Sequence, residues 1–194
     1  MREGVGANPP PSRLGREFYD RDTVELAKAL LGKILVVAKG GVVKKCRIVE
    51  VEAYLRNDPA SHSYRGMTKR NKSMFGPPGT LYVFVVHRQH CANVVRGNGE
   101  AVLLRAGEPI LNITSLTNGP GKLTRALGIR READDGKDLT DPRSDIWIED
   151  DGFKLNENDI IVTTRVGITR AKDWPLRFYI RWSPYVSKKI KENS

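Results

Sequence analysis

The sequence predicts an α+β fold: one domain built on a curved, mainly antiparallel β-sheet with helices around it. Three observations lead there. Runs of alternating apolar residues recur along the chain and end in Gly- or Asn-containing turns, as hairpin strands do. Two segments carry the stripe and stop signals of helices. The strands do not alternate with helices in the βα series that a parallel sheet needs.

Each element follows in chain order. Asp22 or Thr23 can cap a helix whose apolar stripe is Val24, Ala27, Leu30 and Leu31, with Gly32 as its stop. Residues 33–38 read as a strand, and Gly40-Gly41 as a turn. Residues 43–55 read as a longer strand with Val49, Val51, Ala53 and Leu55 on the core face. Ile48, Glu50, Glu52 and Tyr54 fall on the other face, a pattern that suits a polar cleft. Residues 56–80 form a 25-residue loop rich in basic and aromatic side chains, long enough to be read as functional. Strands are expected at 81–86 (Tyr82, Phe84 and Val86 on one side) and 101–105. A helix is expected within 118–128, with Pro120 in its first turn and Gly128 at its end. The acidic stretch that follows reads mostly as loop, and strands at 160–166 and 176–182 complete the sheet. Residues 1–15, Gly/Pro-rich, read as a tail before a single domain at 16–194.

The net charge is +10, distributed unevenly. Residues 132–159 hold eleven acidic and three basic side chains, leaving 30 basic and 12 acidic elsewhere, so the rest carries +18. A positive surface of that size favours a polyanion, with duplex nucleic acid the first candidate. No apolar run is long enough to span a membrane, and the N-terminus lacks the apolar core of a secretory signal. The expectation is an intracellular, monomeric chain, in cytoplasm, nucleoid or nucleus. Cys46 and Cys91 are expected as reduced, buried residues. His87, His90 and Cys91 lie close in sequence, and Cys46 could join them, but H-x-x-H-C matches no standard zinc spacing. No phosphate-binding glycine motif is present, so neither a metal nor a cofactor is expected.

Glu52 is the leading catalytic candidate. Hydrolysis at an anomeric carbon passes through an oxocarbenium-like state, which a nearby carboxylate stabilises while deprotonating water. The same residue alone also reads as a strand glutamate paired with an arginine. Tyr54, His62, Tyr82, Phe84 and His87 supply the aromatic faces that a base held outside the DNA stack requires. Tyr82 and Phe84 alone also read as ordinary strand core. A lysine nucleophile would make a Schiff-base lyase; Lys69 and Lys72 sit in the basic loop, where phosphate contact is the simpler role.

Ordered blocks then match a known family: Glu52-Ala-Tyr-Leu55, Ala60-Ser-His62, Arg65-Gly-Met-Thr-Lys-Arg-Asn71, Met74-Phe-Gly-Pro-Pro-Gly79, Leu81-Tyr-Val-Phe84 and Val102-Leu-Leu-Arg105. Gly119-Pro-Gly-Lys-Leu123, Arg165-Val-Gly167, Pro175-Leu-Arg-Phe-Tyr-Ile-Arg181 and Ser183-Pro184 continue the match across residues 16–187. The chain resembles the alkyladenine/3-methyladenine DNA glycosylases. The resemblance implies that family's fold, and a monofunctional enzyme that flips alkylated or deaminated purines from double-stranded DNA and hydrolyses their glycosidic bonds. It implies Glu52 as general base with Arg105 helping to hold the water. Tyr54, His62 and Phe84 would contact the base, and Asn93 its exocyclic edge. His87 would fill the gap in the duplex, and Arg65, Arg70 and Lys122 would meet the DNA backbone. One departure stands out: the segment His87–Asn93 is one residue shorter than the family's, and His87 replaces a tyrosine. A non-catalytic reader of damaged DNA is the alternative this departure leaves open.

Overall fold

Residues 10–191 are described by the computed structural model. In chain order the elements are β1 (Ser12–Arg13), α1 (Arg16–Tyr19), α2 (Thr23–Leu30), β2 (Ile34–Lys39) and β3 (Val42–Tyr54). Then come β4 (Leu81–Val86), β5 (Gln89–Gly97), β6 (Glu100–Leu111), α3 (Pro120–Leu127), α4 (Arg131–Asp134), β7 (Ile146–Asp150), β8 (Ile160–Thr163) and β9 (Arg177–Ile180). Every strand pair is antiparallel. The sheet runs β1-β7-β2-β3-β6-β5-β4, with β9 on the second half of β3 and β8 on β9. The predicted α+β class and antiparallel sheet are what the chain forms.

Strand β3 organises the fold. Its first half pairs with β2 and its second half with β9, while β6 runs along the other edge. Register shifts interrupt the β3–β6 ladder at Lys45/Cys46, Ile48/Glu50 and Glu50/Val51. Such bulges bend a strand and increase its twist. They also explain one departure from simple alternation: Ile48, expected beside Glu50, packs in the core with Val49, Val51 and Ala53.

The helices form as their sequences dictate. The Asp22 carboxylate accepts the amides of Val24 and Glu25, and Leu26, Ala27 and Leu30 are buried. Pro120 opens α3, and Gly128 closes it with φ 76°, a conformation costly for residues with a Cβ.

The acidic stretch is more structured than its composition indicates. It contains α4 and β7, and the buried pair Ile146 and Ile148 docks β7 on β2. Several of its carboxylates are paired with cations of the sheet: Asp134 with Lys39, Glu149 with Lys45, Asp151 with Arg47; Asp134 also pairs with Lys137 of the same stretch. The amide of Val83 on edge strand β4 is capped by Asp135, an otherwise open pairing site. Three further strand expectations shift. Strand β5 goes unsignalled because it begins with polar residues, β6 extends well past residue 105, and the strand expected to reach residue 166 stops at Thr163. Residues 1–9 of the expected tail lie outside the described residues. Its end is tied down: Ser12–Arg13 pair with β7, Leu14 is buried, and the Arg13 guanidinium stacks 4.4 Å from the Trp147 ring.

The long loop after β3 is held by polar anchors. Asp58 and Arg165, both without side-chain exposure, form a two-pronged ion pair, and Arg165 also donates to the Ala53 carbonyl. The Asn71 amide donates to the carbonyls of His62 and Gly66. Removing one partner of a buried pair strands the other charge. Asp58→Ala should therefore lower the unfolding free energy by about 3–5 kcal/mol, read as a fall in the urea midpoint; a loss under 1 kcal/mol contradicts the anchor.

Candidate active site

The bulged half of β3, the β4–β5 hairpin, β6 and the segment after β8 enclose a cleft of about 230 Å³. Glu52, Tyr54, His62, Phe84, Asn93 and Arg105 all line it, so six residues singled out in the sequence converge. Met74, Tyr82, Val86, Cys91, Leu103, Pro120 and Val166 complete most of the wall. No lysine lines the cleft among the described residues.

Glu52 projects from β3 with no solvent exposure. The Tyr54 hydroxyl donates to Oε1 at 2.9 Å, and the Val166 amide donates to Oε2 at 2.7 Å. The Arg105 guanidinium lies 3.6 Å from Oε1. Burial raises the Glu52 pKa above the ordinary carboxylate value; Arg105 and the two donors oppose that rise without cancelling it. Those donors favour the ionised form, the one able to accept a proton.

A second buried carboxylate sets the arginine. Glu50 Oε1 meets Arg105 Nε at 3.0 Å and Arg177 Nη1 at 3.2 Å. Ser187 adds its amide to Oε2 and its hydroxyl to Oε1, and Arg105 Nη2 reaches that hydroxyl at 3.2 Å. Glu50, expected on the cleft face, is instead the anchor that aims Arg105 past itself toward Glu52.

The aromatic wall is equally fixed. Arg165 covers one face of Tyr54 at 4.7 Å. His62 Nδ1 is 2.9 Å from the Tyr82 hydroxyl, and its ring meets Phe84 edge to face at 4.4 Å. His62 is an exposed residue, yet the protein packed around its ring lowers its pKa and favours the neutral form. Asn93 donates from Nδ2 to the Tyr82 and Cys91 carbonyls, and no hydrogen bond among the described residues reaches its Oδ1.

The remaining candidates surround the mouth. His87 is outside the cleft, at the exposed tip of the β4–β5 hairpin. With Arg88 it makes a two-residue turn in which both residues have positive φ, 48° and 64°. A two-residue connection is the tightest common hairpin turn. Arg65 and Arg70 line an adjoining groove that shares His62, Tyr82 and Phe84 with the cleft. Lys122 is exposed on the first turn of α3, next to the cleft residue Pro120. His90, by contrast, accepts the Arg131 amide at Nδ1, away from any shared site with His87. No group of three or more possible ligands is placed for a metal among the described residues. No helix there is long and apolar enough to cross a membrane.

Sequence reasoning missed the Val166 amide, Ser187, Arg177 and the Asp58–Arg165 pair. A backbone donor leaves no residue-type signal, and the others gain meaning only through contacts more than a hundred residues apart.

The family model described as methylpurine-DNA glycosylase matches residues 17–184. The chain belongs to that family. Curated relatives agree over nearly their whole length. A protein of Methanoculleus marisnigri is 50% identical, covering 89% of this chain and 97% of its own. One from Carboxydothermus hydrogenoformans is 46% identical, covering 91% and 99%. One from Koribacter versatilis is 40% identical, covering 91% and 93%. All three are provisionally named 3-methyladenine DNA glycosylases. The chain is an enzyme of this DNA-repair class, a glycosylase whose substrate is DNA. A purely non-catalytic reader is set aside on this ground.

The cysteines are free and buried, and burial pushes the Cys91 thiol up to about 11 and the Cys46 thiol up to about 12. At pH 8 the Cys91 thiolate, the reactive form, is then about one part in a thousand. Mass spectrometry should find the folded protein nearly unlabelled by iodoacetamide under conditions that fully label it in urea. Rapid labelling of Cys91 in the native state contradicts this environment.

Proposed function

We propose that the chain acts as a monomer on duplex DNA containing an alkylated or deaminated purine, 3-methyladenine foremost, and is a monofunctional hydrolase. The damaged nucleotide turns out of the stack into the cleft. Its base lies among Tyr54, His62 and Phe84, with Asn93 at its exocyclic edge. His87 occupies the gap, while Lys122, Arg65 and Arg70 hold phosphates.

Glu52 then takes a proton from water as the oxygen forms its bond to C1′. The glycosidic bond breaks, and its electron pair neutralises the positive charge on an alkylated purine, which leaves as the free base. Arg105, steadied by Glu50 and Ser187, holds Glu52 ionised and helps to hold the water. Electron-rich faces suit a cationic base. Hypoxanthine, being neutral, needs a proton on the leaving purine, and no side chain of the cleft identifies itself as that donor.

The observation that carries this reading is a carboxylate with no exposure, held by two hydrogen-bond donors and a neighbouring guanidinium at the wall of an aromatic cleft. The absence of lysine from the cleft lining, among the described residues, supports hydrolysis without a Schiff base. Free cations support the DNA face: the side chains of Arg65, Arg70, Arg88, Arg125, Arg131 and Arg170 make no hydrogen bond, and no ion pair within 4 Å, among the described residues. Five of the six line the grooves beside the cleft.

The first test is free-base release from duplexes carrying 3-methyladenine or hypoxanthine. Glu52→Gln should lower the single-turnover rate by about 10²–10⁴-fold; an unchanged rate removes Glu52 from the mechanism. Because Glu52 acts deprotonated and its pKa is raised, the rate should climb with pH through a midpoint above the usual carboxylate value of about 4.3. Tyr54→Phe removes a donor that lowers this pKa, so its midpoint should move higher still. A downward move contradicts the assignment. Lys122→Ala should reduce the slope of log K against log salt by about one, and an identical slope takes Lys122 off the phosphates.

A further inference from the structure

Behind the hairpin tip lies a second cleft, of about 280 Å³, between the start of β5 and α3. We propose that it is a phosphate site, which takes one backbone phosphate of the duplex beside the hairpin tip. The source of the phosphate rests on the DNA reading above; its chemical class rests on the cleft alone.

Arg88, Arg125, Arg130 and His90 line this cleft, and no carboxylate does among the described residues. Arg88 and Arg125 have no side-chain partner among the described residues. Arg130 has only Glu132 at 4.0 Å, with both side chains about 70% exposed, which contributes little. Three guanidinium groups gathered with only that one weak, exposed counter-charge repel one another, and an anion between them removes that repulsion. Guanidinium is also the group best shaped for phosphate oxygens.

His90 adds a donor of fixed identity. Its Nδ1 accepts the Arg131 amide at 3.0 Å, so the neutral ring carries its proton on Nε2. Thr124 spends its hydroxyl proton on the carbonyls of His90 and Gly121, which ties this part of β5 to the helix.

The cations are also held in position. The Gln89 side chain packs on α3 at Gly121, where an added Cβ would come within 2.8 Å of Gln89 Cβ and closer still to its amide oxygen. Only glycine lets the hairpin sit this near the helix. Arg88 thus follows His87 directly at the tip and faces the same cleft as Arg125. Arg88 then holds the backbone on the side of the hairpin away from the base.

The test measures binding of undamaged duplex against salt for wild type, Arg88→Ala, Arg125→Ala and the double variant. Because both arginines serve one phosphate, the double variant should lose about one unit of slope in total, not two. Gly121→Ala keeps every charge but displaces Gln89 and Arg88, and should lower the slope too. Arg143→Ala, an exposed cation paired with Asp141, should leave it alone. An unchanged slope in the double variant overturns the site, and a loss of two overturns a shared phosphate. Calorimetry with inorganic phosphate should show binding to wild type and none to the double variant. Phosphate binding combined with an unchanged DNA slope assigns the cleft to a free anion and overturns the backbone role. Base release, assayed separately on wild type, reports the glycosylase reading, so either conclusion can fail alone.

Discussion

Two carboxylates without solvent exposure, two residues apart on one strand, are the constraint around which this molecule is arranged. A buried charge survives only with partners, and Glu50 and Glu52 draw theirs from four separate parts of the chain. Arg105 comes from β6, Arg177 from β9, the Val166 amide from the turn after β8, and Ser187 from the segment after β9. The bulges in β3 and β6 are the local cost of bringing those donors to one point. Without them the alternation of β3 would carry Ile48 to the same face as the carboxylates, rather than into the core.

The same principle governs charge at larger scale. The acidic stretch supplies counter-charges to Lys39, Lys45 and Arg47 of the sheet, and to its own Lys137, so part of the sheet's basic charge is neutralised internally. Arginines without partners remain chiefly in the grooves beside the cleft. The net charge of the chain is thus a poor guide to its surface, whereas the pairing pattern shows where an anion is wanted.

How much the sequence discloses follows from the range of each signal. Caps, turn glycines and the Tyr82-Phe84-Val86 alternation are local, and α2, α3 and β4 are legible for that reason, whereas the single-turn helices α1 and α4 are not. The face of β3 is legible to within a bulge, which side-chain period alone does not reveal. Strand β7 is masked because Ile146 and Ile148 lie among carboxylates whose cations are distant in sequence. In the site, Glu52, Tyr54 and Arg105 stand out through the motif blocks. Glu50 is misread as a cleft residue, because its role depends on Arg177 and Ser187. The Val166 amide has no side-chain signature at all.

The hairpin tip carries a last consequence. Its two residues sit between paired neighbours, Val86 and Gln89, in a backbone region that non-glycine residues enter at a cost. A connection so short has almost no alternative shapes, so little disorder is surrendered when it meets DNA. On the proposed mechanism, this probe is stiff, and the yielding member of the encounter is the duplex. Weakly paired or poorly stacked nucleotides give way first, so part of the choice of lesion belongs to the mechanics of the nucleic acid.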